Sequence, residues 1–444
     1  MDPITQQVVL ATAGAAGGET YWIATLGGTS SDNGEAVAVD SSGNVYVAGY
    51  GDSATTSYND GFVVKYDSSG SLQWQRYLGG GFETNTIFES IALDSSNNVY
   101  VAGYTNQQGA GSWDVLVAKY NSSGTIQWQR TLGGTSIDQS FGGIAVDSSG
   151  NAYVIGYTMS TGAGDRDFLI VKYNTSGTIQ WQRTLGDSFL QVGNAVAVDS
   201  SGNVYVTGSN AIGNFPSYQL RVLVAKYNTS GTIQWQKVLY GSSDEAGKGI
   251  ALDSSGNIYI AGFSKSFGAG EDLVVAKYNS SGTVQWQRKL SGSSNESGTA
   301  ISVDSSGNVY VTGLTQSTGA GSYDILIAKY NTSGTIQWQR TLGGSSFSEG
   351  DGITVDNSGN VYVAGATNST GAGSSDFIIA KLPDDGSLTG TYGSLTYASS
   401  SLTDAATTLT EGTSSLTSSS SSLTDSSSTL TDAASSLTSS TTDL

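Results

Sequence analysis

Seven copies of one phrase organise most of this 444-residue chain. The phrase is V-D-S-S-G-N-V-Y-V or a close variant, and successive copies are 54, 53, 52, 54, 51 and 52 residues apart. The aspartates of the seven copies are Asp40, Asp94, Asp147, Asp199, Asp253, Asp304 and Asp356. Self-similarity at a fixed period of this size is typical of propellers, solenoids and other repeat architectures.

Each repeat predicts four short strands. In the third repeat these are 142–147, 151–158, 167–174 and 178–186, all rich in Val, Ile, Tyr and Thr and separated by Gly, Ser and Asn. Such runs between turn residues are typical of β-strands. Four antiparallel strands in each of seven repeats predict an all-β protein, a seven-bladed β-propeller of four-stranded antiparallel blades. A β-solenoid is the main alternative, although solenoid coils are usually shorter than these repeats.

The recurring phrases resemble a known family. DSSGNVYVAG, KYNTSGTIQW and QRTLGG are similar to the repeats of the seven-bladed β-propeller (SBBP-type) family, which occurs in bacterial and viral proteins. The resemblance covers about residues 20–383. It implies the propeller fold and leaves the function open, because one fold supports many functions.

The seventh repeat lacks its fourth strand. Six tryptophans mark the fourth strands, whereas the seventh repeat stops at Pro383. Trp22 precedes Asp40 by 18 residues, as Trp338 precedes Asp356. We therefore expect the strand around Trp22 to pair with the last repeat and close the ring. The predicted domains are a leader or docking segment (1–18), the propeller (19–383) and a low-complexity tail (384–444).

Charged residues recur at fixed positions of the repeats. They could form a functional ring, but sevenfold recurrence favours a structural role. We expect the aspartates to cap loop N–H groups, the lysines to lie along blade interfaces and the residues after each Trp to form the outer rim. The three sets are Asp60, Asp114, Asp167, Asp272, Asp324 and Asp376; Lys65, Lys119, Lys172, Lys226, Lys277, Lys329 and Lys381; and Arg76, Arg130, Arg183, Lys237, Arg288 and Arg340.

The turns between strands raise two questions about ligands. The DSSGN turns alternate oxygen-bearing side chains as calcium loops do, but each supplies one carboxylate, and Ca²⁺ takes about six to eight oxygen ligands. A tight hairpin explains DSSGN better, and we predict no metal and no cofactor. The N-T-S and N-S-S sequences match the glycosylation sequon, but asparagine also suits these turns.

The loops on one face differ from blade to blade. Loops tolerate change and often carry function on a rigid frame, and aromatic side chains suit sugar stacking or protein contact. The alternative is that these residues only anchor the loops. Blade four differs most from the others, in Arg221, in its 215–216 loop and in Tyr240. The candidate ligand or partner residues are Phe82, Phe88, Trp113, Phe189, Phe215, Tyr218, Arg221, Phe267 and Tyr323.

The tail has a strict period of seven. Leucine recurs at every seventh position from Leu388 to Leu444, within the phrase [ST]-L-T-x-x-x-x. Seven is the coiled-coil period, and the second seam would be small: Ala406, Thr413, Ser420, Ser427 and Ala434. We predict a thin helical stalk that forms homo-oligomers. Disorder and a β-type fibre repeat are the alternatives.

Composition argues against several functional classes. The chain has no His and no Cys, and of its 18 Lys and Arg residues 13 occupy the fixed repeat positions, so no basic patch for nucleic acid is expected. The first residues lack the features of a secretory signal or a membrane span. We predict no enzyme activity: the acidic pairs Asp244/Glu245, Glu271/Asp272 and Glu349/Asp351 belong to separate blades, and nothing in the sequence brings them together.

The segment MDPITQQVVLATAGAAGG (1–18) resembles the leaders of structural proteins of marine and cyanobacterial phages. The resemblance implies a virion location in which 1–18 and the tail contact other virion proteins. Our leading hypothesis is a non-enzymatic phage virion protein, a tail-fibre or decoration subunit whose propeller recognises a host-surface protein or glycan. A bacterial surface or secreted adhesion protein is the second hypothesis, and a glycan-acting enzyme is the third.

Overall fold

The structure is a computed structural model. It describes residues 20–28, 30–52, 58–79, 84–109, 111–213, 218–268, 270–371, 374–407, 409–414, 417–420, 424–427, 431–434 and 439–443. The predicted leader (1–18) therefore lies outside the described residues. The described residues contain no helix long and apolar enough to span a membrane.

Seven antiparallel sheets form the propeller, and each blade has four strands, labelled A to D from the axis outward. The A strands are β2 (Asp32–Val39), β6 (Thr86–Leu93), β10 (Asp138–Val146), β14 (Gln191–Val198), β18 (Glu245–Leu252), β22 (Glu296–Val303) and β26 (Ser348–Val355). The B strands are β3 (Val45–Asp52), β7 (Val99–Thr105), β11 (Ala152–Thr158), β15 (Val204–Ile212), β19 (Ile258–Ser264), β23 (Val309–Thr315) and β27 (Val361–Thr367). The C strands are β4 (Asn59–Tyr66), β8 (Asp114–Tyr120), β12 (Asp167–Tyr173), β16 (Gln219–Tyr227), β20 (Asp272–Tyr278), β24 (Asp324–Tyr330) and β28 (Asp376–Leu382). The D strands are β5 (Leu72–Gly79), β9 (Ile126–Gly133), β13 (Ile179–Gly186), β17 (Ile233–Tyr240), β21 (Val284–Ser291), β25 (Ile336–Gly343) and, from the start of the chain, β1 (Trp22–Leu26). The predicted seven-bladed fold is confirmed.

The chain closes the ring as the tryptophan spacing predicted. Strand β1 pairs with β28 in antiparallel register, with Trp22 opposite Lys381. The A strands of successive blades contact one another in a closed cycle, in which β26 meets β2. Trp22 is fully buried and packs with Tyr66 and Phe377 in the hydrophobic core between the last blade and the first. One blade is thus built from two distant parts of the sequence.

Every A strand carries an irregularity near its start. In six blades the pairing with strand B skips one residue, for example between Gly34 and Ala36. In blade three the shift lies between Gln139 and Gly143 and spans three residues. Such β-bulges re-aim a side chain and increase the local twist. Here they create a position in each blade that departs from the alternation of the strand, and this position matters for the candidate site.

The described part of the tail is β-structure, so the helical prediction is wrong for these residues. Strand β29 (Gly390–Tyr392) forms a hairpin with β30 (Leu395–Ser399), and six more short strands follow. They are β31 (Thr403–Ala406), β32 (Thr410–Thr413), β33 (Thr417–Ser420), β34 (Thr424–Ser427), β35 (Thr431–Ala434) and β36 (Ser439–Asp443). Each of β30–β36 adds an antiparallel strand to the outer edge of one blade, in the order six, five, four, three, two, one, seven. We call β30–β36 the belt.

The period of seven has a different physical origin from the one expected. A heptad advances the chain from one blade to the next, and seven extended residues span at most about 25 Å. Threonine favours strands, whereas serine and threonine are poor helix formers. The small residues predicted to form a helical seam end the strands β31–β35, each opposite the basic residue of a D strand. Oligomerisation through the tail stays a prediction.

Candidate functional site

The DSSGN turns use their carboxylates internally. In the third blade, Asp147 accepts hydrogen bonds from the backbone N–H groups of Ser149 and Asn151, from Asn151 Nδ2 and from the Tyr153 hydroxyl (2.8–2.9 Å). Burial raises the pKa of Asp147, but these hydrogen bonds outweigh it and leave the pKa below its usual value. The same turn recurs in every blade. Among the described residues, no group of three or more acidic side chains is arranged to hold a metal ion.

The C–D turns are also occupied by structural contacts. Trp74 Nε1 donates to the carbonyl oxygen of Ser122 (3.1 Å), and Arg76 Nε donates to that of Gly124 (2.8 Å), both in the C–D turn of the next blade. Equivalent Trp and Arg contacts join further blades. The repeated W-Q-R phrase therefore holds neighbouring blades together.

The recurring charges of strand C are structural, as predicted. Asp114, Asp167 and Asp324 accept hydrogen bonds from loop glycine N–H groups at 2.9–3.3 Å. The lysine ammonium groups lie over tyrosine rings of strand B, with Nζ of Lys119 4.6 Å from the centroid of Tyr100. This arrangement recurs at Lys65, Lys172, Lys226, Lys277 and Lys329. On the face with the A–B and C–D turns, the recurring polar side chains are therefore bonded mainly to other groups of the propeller.

The opposite face carries the side chains that vary. One position on this face has a different side chain in every blade. It is the residue before the recurring aspartate of strand C, or before Arg221 in blade four. We call this set the rim ring: Asn59, Trp113, Arg166, Leu220, Glu271, Tyr323 and Ser375. In five blades its carbonyl accepts a hydrogen bond (2.7–2.9 Å) from the first residue of the next strand A. All seven residues are partly exposed, so a constant backbone contact presents a different side chain in each blade.

The structure separates the predicted aromatic residues into several groups. Phe82 and Phe215 lie outside the described residues. Phe88 is fully buried in the core between blades one and two, and its assignment to a ligand face is corrected. Phe267 packs on a core cluster and lies under Lys289 Nζ (4.9 Å). Like Phe267, the residues Trp113, Phe189, Tyr218 and Tyr323 are partly exposed.

Arg221 is used inside blade four. Its guanidinium carbon lies 4.1 Å from the ring centroid of Tyr240, the last residue of the neighbouring D strand. Such a cation–π contact stabilises both side chains. Two of the three features that set blade four apart in sequence thus contact each other.

Four aromatic rings form a continuous ladder across blades two and three. Trp113 meets Tyr104 edge to face (5.2 Å between centroids), Tyr104 meets Phe141 (5.5 Å), and Phe141 stacks on Tyr157 (5.3 Å). Arg166 covers the far end, with its guanidinium carbon 4.7 Å from the Tyr157 centroid. We call these four residues the aromatic ladder. Its first ring, Trp113, belongs to the rim ring, and its third, Phe141, lines the central channel.

The channel along the propeller axis is lined by the bulged A-strand positions. The cavity measures about 590 Å³ and receives residues from all seven blades. One bulge position per blade forms what we call the channel ring: Glu35, Glu89, Gly142, Asn194, Lys248, Thr299 and Asp351. One valine or isoleucine side chain two residues further along each A strand also lines the cavity. The channel ring is thus acidic on the side of blades seven, one and two, and basic at Lys248.

The acidic residues of the channel ring have raised pKa values. Burial, followed by the charges of Glu89 and Glu349, raises the pKa of Glu35 well above its usual value. Burial raises the pKa of Glu89 to about 7, against a hydrogen bond from Tyr104 and the charge of Lys248. Burial and the neighbouring carboxylates also raise the pKa of Asp351. Asp351 thus faces Glu35 and Glu89 of other blades, which were not among the acidic pairs identified from the sequence.

Comparison with protein families matches the repeats directly. A model described as SBBP, Beta-propeller repeat, matches residues 22–54, 73–108, 127–162, 180–216, 285–319 and 337–371. This chain belongs to the SBBP beta-propeller repeat family. A second model, for a beta-propeller domain of unknown function, matches residues 95–126 and 357–388.

Two curated relatives match parts of this SBBP protein. An uncharacterized WD repeat-containing protein of Acanthamoeba polyphaga mimivirus is 23% identical over 376 residues, covering 60% of this chain and 26% of the relative. Regulatory protein FlaEY of Caulobacter vibrioides is 26% identical over 194 residues, covering 40% of this chain and 20% of the relative. The chain spans about a quarter or less of the length of these relatives.

Solved structures resemble the propeller at low identity. A puromycin hydrolase is 12% identical with a TM-score of 0.43, over 76% of this chain and half of that chain. Regucalcin, a calcium-binding protein from Agrobacterium tumefaciens, is 13% identical with a TM-score of 0.34, over 69% of this chain and 88% of that chain.

Sequence reasoning missed the channel ring and the ladder. When the SBBP repeats are aligned on their DSSGN aspartates, the channel ring lies five residues earlier in every blade. That position changes from acidic to basic to uncharged, although the four residues between it and the aspartate are similar in every blade. This variation was the available signal.

Proposed function

We propose that this protein is a structural and binding protein whose propeller recognises a glycan with the aromatic ladder. The ladder carries the proposal because it joins rings on an exposed rim to a polar cavity. Trp113, Tyr104 and Phe141 are partly exposed, and Tyr104 hydrogen-bonds to Glu89 of the channel ring. The faces of sugars stack on aromatic rings, while their hydroxyl groups need polar partners.

The rest of the propeller supports this role as a rigid frame. The W-Q-R contacts join five of the seven pairs of neighbouring blades, and the A–B turns have used their carboxylates. Binding groups held on a rigid scaffold lose little conformational entropy when a ligand binds. The rim ring then extends recognition around the face by varying one side chain per blade.

We place this protein on a virion, as a tail-fibre or decoration-type subunit. The viral relative and the phage-like leader support this location. A bacterial cell-surface or secreted adhesion protein of the same fold is the alternative. Mass spectrometry of purified particles separates the two, because a virion subunit keeps a constant ratio to the major structural proteins through density-gradient purification.

A glycan array tests the ligand, with the full-length protein as probe. We expect Trp113→Ala to reduce binding at least tenfold. Tyr323 occupies the same rim-ring position in blade six but contacts Phe347 instead of the ladder. Tyr323→Ala is therefore the matched control and should stay within about twofold of the parent. Equal losses in both variants, at unchanged melting temperature, would rule out the ladder as the binding site.

A glycan-acting enzyme is the second candidate, and one observation favours it. Glycoside hydrolysis commonly uses two carboxyl groups, one of them with a raised pKa, and Glu35 and Glu89 have raised pKa values beside the same cavity. Incubating array-positive glycans with the parent and with Glu89→Gln tests this. Cleavage by the parent that Glu89→Gln abolishes would support catalysis. If the parent binds the glycan but leaves it intact, the result would support the binding role alone.

A further inference from the structure

We infer that the outer rim of the propeller is a peptide-binding surface in which each D strand binds one heptad of the belt. The occupant is the chain's own segment between Leu395 and Asp443. Pairing of an extended segment with an open sheet edge is a recognised binding mode, in which the backbone supplies affinity and side-chain pockets supply specificity. Here the backbone pairing recurs in every blade, and side-chain contacts accompany it.

The counts of the two repeats agree. From Leu395 to Leu437 the sequence contains seven Leu-Thr pairs, and the propeller has seven D strands. In six blades the threonine lies at the same register, opposite the last residue of the D strand. The pairs are Thr396–Gly343, Thr403–Ser291, Thr410–Tyr240, Thr417–Gly186, Thr424–Gly133 and Thr431–Gly79. A belt that bound the rim without sequence specificity would not keep the same register in six blades.

The three belt leucines within the described residues pack into the propeller. Leu395, Leu402 and Leu409 are 1%, 6% and 5% exposed, and each belongs to a core cluster between blades. A Cβ atom added at Gly292 would lie 2.2 Å from Ser317 Cβ and 2.9 Å from Leu402 Cδ2, and one at Gly241 would lie 2.3 Å from Ser266 Oγ and 2.9 Å from Leu409 Cδ2. These two glycines, each the residue after a D strand, therefore lie between a loop serine of the propeller and a belt leucine.

Side chains of the W-Q-R phrase bind the belt directly. Gln339 Nε2 donates to the carbonyl oxygen of Leu402 (2.8 Å), and Gln287 Nε2 donates to that of Leu409 (2.9 Å). Arg288 forms a partly buried ion pair with Asp404. In blade five the arginine thus contacts the belt, where other blades use it to hold the next turn.

In four blades an acidic residue of the heptad accompanies a basic residue of the D strand, whereas blades three and six, with Arg183 and Arg340, pair with heptads that carry Ser418 and Tyr397 at that position. Asp404 is the third residue of its heptad, and acidic residues recur there in the heptads that pair with blades four, two and one. The D strands of those blades carry Lys237, Arg130 and Arg76. In blade seven Ala24 replaces the basic residue, and the heptad carries Ser439 instead of an acid. Opposite charges on neighbouring strands favour this alignment.

Many weak contacts on one chain act together. Each belt segment forms only four or five paired residues, but tethered segments bind with a high effective concentration. The belt also covers the D-strand edges of all seven sheets, and exposed edges are sites of aggregation. A surface of this kind recognises a repeat with the correct spacing and rejects one that is out of phase.

Two insertions in the full-length chain test the spacing. A single Ser inserted after Thr407 shifts every later heptad by one residue. A second copy of residues 401–407, inserted at the same point, adds a whole heptad and keeps the phase. Hydrogen exchange measured by mass spectrometry follows the outward-facing amides of the D strands, and the B strands report whether the propeller remains folded.

We expect the Ser insertion to accelerate exchange at least tenfold in β17, β13, β9, β5 and β1, and to leave β25 and β21 unchanged. The seven-residue insertion should preserve protection in all seven D strands. Equal exchange in the two variants, or loss of protection in β25 and β21 as well, would overturn the inference. A native mass that is a multiple of 45.6 kDa, with belts exchanged between copies, would show that a second copy is the occupant and would also overturn it.

Discussion

Trp22 Nε1 donates a hydrogen bond to the backbone carbonyl oxygen of Ser68 at 3.3 Å. Ser68 belongs to the C–D turn of the first blade, and the same Trp-to-turn contact joins other neighbouring blades. The last blade therefore meets the first through the interface that the repeats use elsewhere. An N-terminal segment that looks like a fragment in sequence completes a regular ring.

Removing Trp22 should weaken the closure. Trp22 is fully buried, whereas Trp74, its counterpart in the first blade, is partly exposed. Replacing a buried aromatic residue by alanine costs about 3–5 kcal/mol in free energy of unfolding. We expect Trp22→Ala to reach this range in urea denaturation and Trp74→Ala to cost less.

Deleting residues 19–28 should destabilise the protein further, because β28 would lose its partner and expose an apolar edge. Comparison with the Trp22→Ala variant isolates the contribution of the backbone pairing. A deletion variant that melts like the parent would contradict closure by β1.

The repeats alone predict much of this fold. Strand alternation and turn residues define the blades, and the unmatched Trp22 locates the closing strand. The tail could not be assigned in the same way, because a period of seven specifies spacing and not backbone conformation. Only the D-strand edges, with Gly292 and Gln287 placed to receive a leucine and a carbonyl group, show what the heptads match.

The candidate site was harder to predict for a different reason. Trp113 was identified from its type and its loop, but its partner Tyr104 belongs to a strand and Phe141 to the next blade. Glu89 is adjacent in sequence to the buried Phe88, and only the β-bulge turns it toward the channel. Bulges depend on the pairing of two strands, and this pairing is not visible in the pattern of one strand.

The channel carboxylates predict an unusual dependence of stability on pH. The pKa of Glu89 is raised from 4.5 to about 7, chiefly by burial. Between these values the folded protein holds a proton that the unfolded chain has lost, so this contribution to stability is complete below about pH 4.5 and is lost as the pH rises through about 7. We expect the urea midpoint of the parent to fall over this window.

Glu89→Gln should flatten the decline, because glutamine does not titrate. Asp147→Asn is the control with the opposite sign: hydrogen bonds hold the pKa of Asp147 below 3.8, so its contribution is lost only as the pH falls through that lower value. A Glu89→Gln variant with the same slope as the parent between pH 5 and 8 would show that this group does not govern the dependence.

The C–D turns should tolerate no side chain beside the inter-blade tryptophan. Gly124 has φ of +77°, and an added Cβ would lie 2.8 Å from the Trp74 ring. Gly256 has the same φ, but the nearest atom would lie 3.7 Å away. Left-handed backbone costs an alanine about 1–2 kcal/mol, so both Gly→Ala variants should lose this amount in thermal or urea unfolding. Gly124→Ala should lose more, and equal losses would mean that the tryptophan moves aside freely.

The Arg221–Tyr240 contact should stabilise blade four. The guanidinium lies over the ring at 4.1 Å, and Arg221 Nε is buried without a hydrogen-bond partner among the described residues. Cation–π contacts contribute about 0.5–1 kcal/mol at exposed sites and about 2 when desolvated. A double-mutant cycle of Arg221→Ala and Tyr240→Ala, measured by urea unfolding, should therefore give a coupling energy in this range.

Arg221→Lys tests whether charge alone is sufficient. Lysine keeps the charge but lacks the planar group that stacks on the ring, so we expect it to recover only part of the coupling. The Arg76–Trp74 pair, at 5.9 Å, provides a more distant comparison and should couple more weakly. A coupling energy near zero for Arg221 and Tyr240 would mean that the arginine has no internal role in blade four. Its place beside the variable face would then favour contact with a ligand instead.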